Sequence, residues 1–352
     1  MPSLTIDVIK IFTLGTLSFL TAFFLTPILT HFLYKYKFWK KEMRKKAIDG
    51  GEIPVFQKFH KEKEINTPRG GGLLIWTSCL ILALLFLVLA KTNIFWFQKL
   101  NFLSRDQTWL PLFALITGSL LGLVDDVSQV TGIGKYIGGG LRLRYRLLVV
   151  FVIGLVGALW FYYKLDWRTI HIPGIGDFTI GAFYILLFAL VNMAVYSAGV
   201  IDGLDGLSGG TFASIFGAYC VIAISRGQIN LASFCAVIVG AILAFLWFNI
   251  PPARFYMGET GILGLGTALT VVAFLTDSVL VLPIIGILLL VESLSVILQL
   301  LSKKFLKRKI FLSAPIHHHF EGMGWPAYKV TMRFWVIGVV AAILGVAIRL
   351  LG

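Results

Sequence analysis

Asp125 and Asp126 stand side by side at the end of Leu121-Gly-Leu-Val-Asp-Asp. Asp202 and Asp205 follow in Ile201-Asp-Gly-Leu-Asp-Gly-Leu-Ser-Gly-Gly, Glu259 in Tyr256-Met-Gly-Glu-Thr-Gly, and His317, His318 and His319 as an unbroken triplet. Carboxylates beside a basic surface suit Mg2+-assisted phosphoryl transfer. Mg2+ is a hard ion that takes oxygen ligands and shares its shell with substrate phosphates. The ion and nearby cations neutralise charge as a pyrophosphate bond breaks. The glycines around Asp202 and Asp205 allow tight turns and close backbone approach to a ligand, and the start of a following helix can meet a phosphate. Imidazole does not favour Mg2+, which leaves phosphate contact or proton handling to the histidines.

Each group also has an ordinary reading. Two aspartates can cap a helix at a water interface; adjacent helical residues do not share a face, so the two have different jobs. Asp-Gly-Leu-Asp-Gly is also turn chemistry. A single loop glutamate is usually solvated, a histidine triplet can be a solvated loop, and Tyr256 can serve as an interfacial anchor. Glu292 lies inside an apolar run, where a charge is costly and normally paired or functional; a structural pairing is the expectation. Placement lifts the set above these readings, and placement depends on the elements that carry it.

Of 352 residues 58% are hydrophobic and only 14% charged, with mean hydropathy +0.87, too little charge for a soluble domain of this size. Ten apolar runs fall at 8–34, 70–90, 109–127, 146–163, 179–198, 209–225, 231–248, 261–277, 279–301 and 331–351. Each is near the roughly 20 residues that cross a bilayer. The first is too long for a signal-peptide core and is expected to remain a helix. These runs predict an all-α polytopic membrane protein of about ten transmembrane helices, with residues 1–352 as a single domain. Cys79, Cys220 and Cys235 lie in apolar runs without CxxC spacing, so they read as packing residues rather than disulfide or zinc ligands.

The net charge of +14 suits anionic membrane lipids and anionic substrates. Nucleic acid is excluded as a partner, because the basic residues lie in short loops between apolar runs. Segments after odd-numbered runs hold 23 of the 31 Lys and Arg, which predicts that they face the cytoplasm and that both termini lie outside. The outer segment Leu165–Phe178 predicts a short hairpin. Every acidic and histidine motif then falls on the cytoplasmic face, with Asp125 and Asp126 at a wet helix end. The basic first loop, Lys35–Arg69, contains His60 and runs into Gly70-Gly-Gly; Lys63 and Arg69 are its candidate substrate contacts.

Together these motifs resemble the polyprenyl-phosphate N-acetylhexosamine-1-phosphate transferase superfamily, and within it the phospho-N-acetylmuramoyl-pentapeptide transferase (MraY) family. The most specific run is Val291-Glu-Ser-Leu-Ser-Val-Ile-Leu-Gln, then Ala314-Pro-Ile-His-His-His-Phe-Glu, Gly324-Trp-Pro and Arg333-Phe-Trp. The resemblance implies ten helices around a cytoplasmic-face active-site cleft with a lipid-facing groove, typically in a homodimer. It implies transfer from UDP-N-acetylmuramoyl-pentapeptide (UDP-MurNAc-pentapeptide) to undecaprenyl phosphate, with Mg2+ required and UMP and lipid I as products in a bacterial inner membrane. By the same resemblance Asp125 deprotonates the lipid phosphate with support from Asp126, and Glu259 holds Mg2+. Asp202, Gly203, Leu204 and Asp205 contact the nucleoside, Asn249 the uracil, and Tyr256 replaces an aromatic that stacks on it. His317, His318 and His319 match the histidine motif near the phosphates.

The chain also departs from the family pattern. Glu259 replaces an Asp, Tyr196 and Gly199 replace two Asn, Gln129 replaces a Lys, and the first loop reads Asn66-Thr-Pro-Arg-Gly-Gly-Gly. Glu is one methylene longer than Asp, so Glu259 and the small Gly199 are expected to be paired adjustments. Two other functions remain open from sequence: a related transferase of the GlcNAc-1-phosphate type using another UDP-sugar, and a non-catalytic lipid-phosphate-binding protein or lipid transporter. Transporters place ionisable groups near the membrane midplane, often in repeated broken helices. The motifs here gather at one face.

Overall fold

A computed structural model describes residues 3–40, 66–132 and 143–352. Lys63, with most of the first basic loop, lies outside the described residues. In chain order the helices are α1 (Ser3–Lys35), α2 (Gly72–Leu89), α3 (Phe95–Leu100), α4 (Trp109–Thr131) and α5 (Leu143–Lys164). An antiparallel hairpin follows, β1 (Thr169–Ile172) and β2 (Gly176–Thr179), with Ile172 opposite Gly176, where the sequence predicts one. Then come α6 (Phe183–Ser197), α7 (Leu207–Ser225), α8 (Ile229–Asn249), α9 (Gly258–Leu275), α10 (Leu282–Ile285), α11 (Ile287–Leu301), α12 (Ile316–Gly322) and α13 (Ala327–Leu351).

Among the described residues nine helices are long and apolar enough to cross a membrane, or ten if the bent α10–α11 pair counts as one span. The protein is an all-α, multi-pass membrane protein. Exposed Phe12, Phe24, Val336, Val340, Ile343 and Leu344 on α1 and α13 suit hydrocarbon rather than water. Two features differ from the sequence reading. The apolar run 279–301 is bent by 79°, because Gly286, at φ −99 and ψ 31, leaves helical geometry between α10 and α11. The third span runs on to Thr131, so Asp125 and Asp126 lie inside its last turns and are buried, not at a wet end.

Helix α9 is the mast of the bundle, with 94% of its span buried. It packs along α4 and touches α2 and α6. Without a hydrophobic drive between helices in lipid, close approach through small residues holds such pairs. A methyl added at Gly122 would fall on the Glu259 carbonyl, and one at Gly72 on the backbone of Gly261. Gly72→Ala is therefore expected to destabilise the protein by about 1–3 kcal/mol through overpacking. Gly217 faces open space, so Gly217→Ala is expected to be neutral or slightly stabilising. Thermal melting in detergent should separate the two; equal melting temperatures would show that α2 and α9 are not in tight contact.

Candidate active site

The helix ends opposite the hairpin carry the polar motifs, and α9 begins among them. The first N–H groups of a helix lack intrahelical acceptors. Asp126 on α4 supplies them: it accepts from Glu259 N at 3.0 Å, Thr260 N at 2.9 Å and Thr260 Oγ1 at 2.7 Å. A carboxylate there also complements the positive end of the helix dipole. Gly258, just before, takes φ +73, a conformation that favours glycine, and donates its N–H to Asp202 Oδ2 at 3.1 Å. Ser208 Oγ donates to Asp202 Oδ1 at 2.7 Å. Burial pushes the Asp202 carboxyl above the usual carboxylate range. Asp126 and Asp202 thus tie α4 and the glycine-rich loop to the start of α9.

The rest of that loop is equally well anchored. Asn249 accepts from Gly206 N at 3.0 Å and donates to the Phe255 carbonyl at 2.8 Å. Asp205 Oδ2 accepts from Ala253 N at 3.3 Å, and Leu204 is in the core. Tyr256 N donates to the Pro68 carbonyl and Gly71 N to the Tyr256 carbonyl, both at 2.8 Å; this backbone exchange brings Arg69 beside the site. The Tyr256 ring is half-buried, and burial pushes its hydroxyl up, so it stays a neutral donor.

A chain of side chains crosses the face between these anchors. Arg69 donates to Gln129 Oε1 at 3.2 Å, and Gln129 Nε2 donates to Asp125 Oδ2 at 2.8 Å. Arg146, in the first turn of α5, reaches Asp125 Oδ2 at 3.3 Å and Glu259 Oε1 at 2.6 Å. Tyr196 at the end of α6 donates to Glu259 Oε2 at 3.3 Å. Side-chain exposure is 5% for Asp125, 17% for Arg146 and 21% for Glu259, so a ligand can reach Glu259 more readily than Asp125.

The three histidines on α12 part company. His317 Nδ1 bonds Glu292 Oε2 at 2.9 Å with both side chains fully buried. Its Nε2 abuts Gly203, where an added methyl would collide with it. His318 Nδ1 bonds Glu321 Oε2 at 2.6 Å, and His319 Nδ1 accepts from Leu312 N at 3.1 Å. Of the three, His317 is the one that meets the glycine-rich loop. Glu292 has the structural pairing expected of a charge inside an apolar run.

The sequence marks Gln129 and Tyr196 only as departures, and Arg146 enters it only as one of the 23 Lys and Arg that set the predicted topology. A permanent cation in the first turn of an apolar span was the available signal, since such a charge needs a partner. Gly199 lies against Ile262, one turn along α9 from Glu259. A side chain there would strike Ile262, and Tyr196, three residues earlier, is the neighbour that meets Glu259.

The Mg2+ that the resemblance implies does not fit this donor set. Mg2+ demands a near-octahedral oxygen shell at about 2.0–2.1 Å. Both oxygens of Asp126 and of Asp202 already accept N–H or O–H bonds, and the Arg146 guanidinium bridges Asp125 and Glu259. Among the described residues, the one convergence of His, Cys, Asp or Glu tight enough to ligate an ion is His171, Asp177 and Asp277. It lies by the hairpin, at the opposite ends of α5 and α6.

The bundle and its buried acid–base face define a multi-pass membrane protein with a polar site at one end; comparison with known proteins makes that class a transferase. Residues 108–277 match the family model described as glycosyl transferase family 4. Over 338 residues the chain is 37% identical to the phospho-N-acetylmuramoyl-pentapeptide-transferase of Geobacillus sp. (strain WCH70), covering 95% of this chain and 96% of that one. It is 35% identical over 336 residues to the protein of that name from Bacillus subtilis (strain 168), again covering 95% and 96%. The chain belongs to the phospho-N-acetylmuramoyl-pentapeptide-transferase family, and so to the phosphoglycosyl transferases of peptidoglycan synthesis.

Proposed function

We propose that the protein transfers phospho-N-acetylmuramoyl-pentapeptide from UDP-MurNAc-pentapeptide to undecaprenyl phosphate, releasing UMP and forming lipid I. The continuous run Arg69–Gln129–Asp125–Arg146–Glu259 carries this reading. It sets two guanidinium groups and two carboxylates at one end of the bundle, where a pyrophosphate needs cations and a phosphate nucleophile needs a proton acceptor. An oxygen of the lipid phosphate attacks the sugar-bearing phosphorus of the donor. The bond from that phosphorus to the bridging oxygen breaks, and UMP leaves with the oxygen and its electron pair. Asp125 takes any proton held by the attacking phosphate, and proximity with charge neutralisation supplies the rest. Direct attack needs no covalent enzyme intermediate.

The site end faces the cytoplasm in this proposal, where the soluble donor is available, and the chain works as a homodimer in a bacterial inner membrane. Among the described residues the far end carries eight Lys and Arg against fourteen at the site end, and some of the eight are engaged. Lys10 is tied to Asn101 and Asn230, and Arg349 to Ser278.

The test is UMP release by purified protein in detergent with a polyprenyl phosphate and a panel of UDP-sugars. Release is expected with UDP-MurNAc-pentapeptide and should fall at least about 100-fold in Asp125→Asn. Release with UDP-N-acetylglucosamine alone would move the protein to the GlcNAc-1-phosphate type. No release with any donor would leave a lipid-phosphate-binding protein.

A further inference from the structure

We propose that Arg146 is the resident cation of this active site: it takes the place between Glu259 and Asp125 that a divalent ion would need, so the transferase works without a bound metal. The inference rests on the proposed transfer reaction and concerns what neutralises its charge.

Four observations converge. Arg146 lies 2.6 Å from Glu259 and 3.3 Å from Asp125, so a single guanidinium bridges the two carboxylates. The Tyr196 hydroxyl meets the other Glu259 oxygen, leaving neither oxygen without a protein donor. Gln129 donates to the same Asp125 oxygen that Arg146 meets and links it to Arg69. Asp126 and Asp202 serve the backbone at the start of α9 and the Ser208 hydroxyl, and Asp205 accepts from the Ala253 N–H.

The chemistry of the guanidinium points the same way. Arginine keeps its charge at any working pH and presents planar N–H donors matched to carboxylate and phosphate oxygens. When a pyrophosphate binds, the same guanidinium can exchange a carboxylate oxygen for a phosphoryl oxygen. It then stabilises charge on the leaving phosphate, as arginine does in other phosphoryl transfers. The reach of Glu259 fits this role, since its extra methylene carries the carboxylate away from the α9 backbone toward α5. Tyr196 and Gln129 are neutral hydrogen-bonding neighbours on either side of the bridge.

The test has a binding arm and an activity arm. In the binding arm, purified protein is titrated with Mn2+ in a His171→Ala background, which removes the hairpin cluster of His171, Asp177 and Asp277 and leaves the site otherwise wild type, and free ion is followed by electron paramagnetic resonance, without donor. The wild-type site is expected to leave the Mn2+ free. The double variant Arg146→Met with Glu259→Asp is expected to bind it, because the bridge is gone and a shorter carboxylate stands in its place. In the activity arm, UMP release is measured in EDTA. Wild type should keep its rate within about twofold, and Arg146→Met should lose at least roughly 100-fold. Arg146→Lys, the more conservative change, covers the case in which the methionine variants do not fold. It should lose roughly 10-fold, because an ammonium is a point charge that cannot bridge in a plane. Tight Mn2+ binding by the wild-type site in that background would overturn the proposal, as would EDTA inactivation reversed by Mg2+. If UMP release fails in every condition, the transfer reading has failed, and the Mn2+ titration still decides whether the bridge excludes a metal.

Discussion

Asp126→Ala is expected to be the most damaging single change in the protein, lowering stability and abolishing transfer together. Its carboxylate accepts three hydrogen bonds from the first turn of α9 and is fully buried. Hydrogen bonds to a charged group contribute about 1.5–3 kcal/mol each, and buried donors left unsatisfied add their own penalty. With incomplete additivity the loss should come to about 3–5 kcal/mol, and UMP release should fall by roughly 1,000-fold or more as Glu259 loses its backbone support. Asp126→Asn keeps the shape but turns one acceptor into a donor facing N–H groups, so it should lie between. Asp125→Asn, which weakens a buried contact to Arg146 that Glu259 still shares, should lower stability by about 1 kcal/mol while activity collapses. Melting curves and rates on the same detergent preparations check all three. An Asp126→Ala protein that melts like wild type would show that the α4–α9 tie is dispensable.

His317→Leu is expected to cost nearly as much, for a different reason. Glu292 and His317 form a fully buried pair, and removing one partner of such a pair strands the other at a cost of about 3–5 kcal/mol. Glu292→Gln keeps an acceptor for the imidazole and should cost about 1 kcal/mol. Glu292→Leu combined with His317→Leu should recover much of the stability lost by His317→Leu alone, because no stranded group remains. Activity should not recover with it, since Nε2 of His317 is the atom that abuts Gly203 in the glycine-rich loop. A double variant as unstable as the sum of its parts would show that the pair is not coupled. Gly203→Ala offers an independent check: its methyl should push His317 aside and lower the rate while both members of the pair remain.

Much of the bundle was legible because crossing a membrane is a local property of sequence. A run of about 20 apolar residues declares itself whatever it packs against. Helix ends were less legible. Polar residues continue the helix at α4, so Asp125 and Asp126 read as its wet end when they are inside and buried. The bend at Gly286 was hidden because the run from Val279 to Leu301 stays apolar on both sides of it. Site residues could be named from their types, but their partners are set by tertiary structure. Adjacent Asp125 and Asp126 point to different helices. The three histidines differ by their angle around α12, which sends His317 to Glu292, His318 to Glu321 and His319 to Leu312. Arg146 and Glu259 are 113 residues apart, and no local pattern couples a cation to a carboxylate at that distance.

The burial of α9 has a consequence for how this active site can change. A helix with lipid along one side can roll or slide to absorb a longer side chain. α9 has no such slack, for its first turn is bonded to Asp126, its carbonyl at Glu259 rests on Gly122, and Gly261 lies against Gly72. An added methylene at position 259 is therefore felt almost entirely at the tip of the side chain. Novelty on this scaffold is written in reach rather than in position, and the groups that must answer it stand on α5 and α6, at Arg146 and Tyr196.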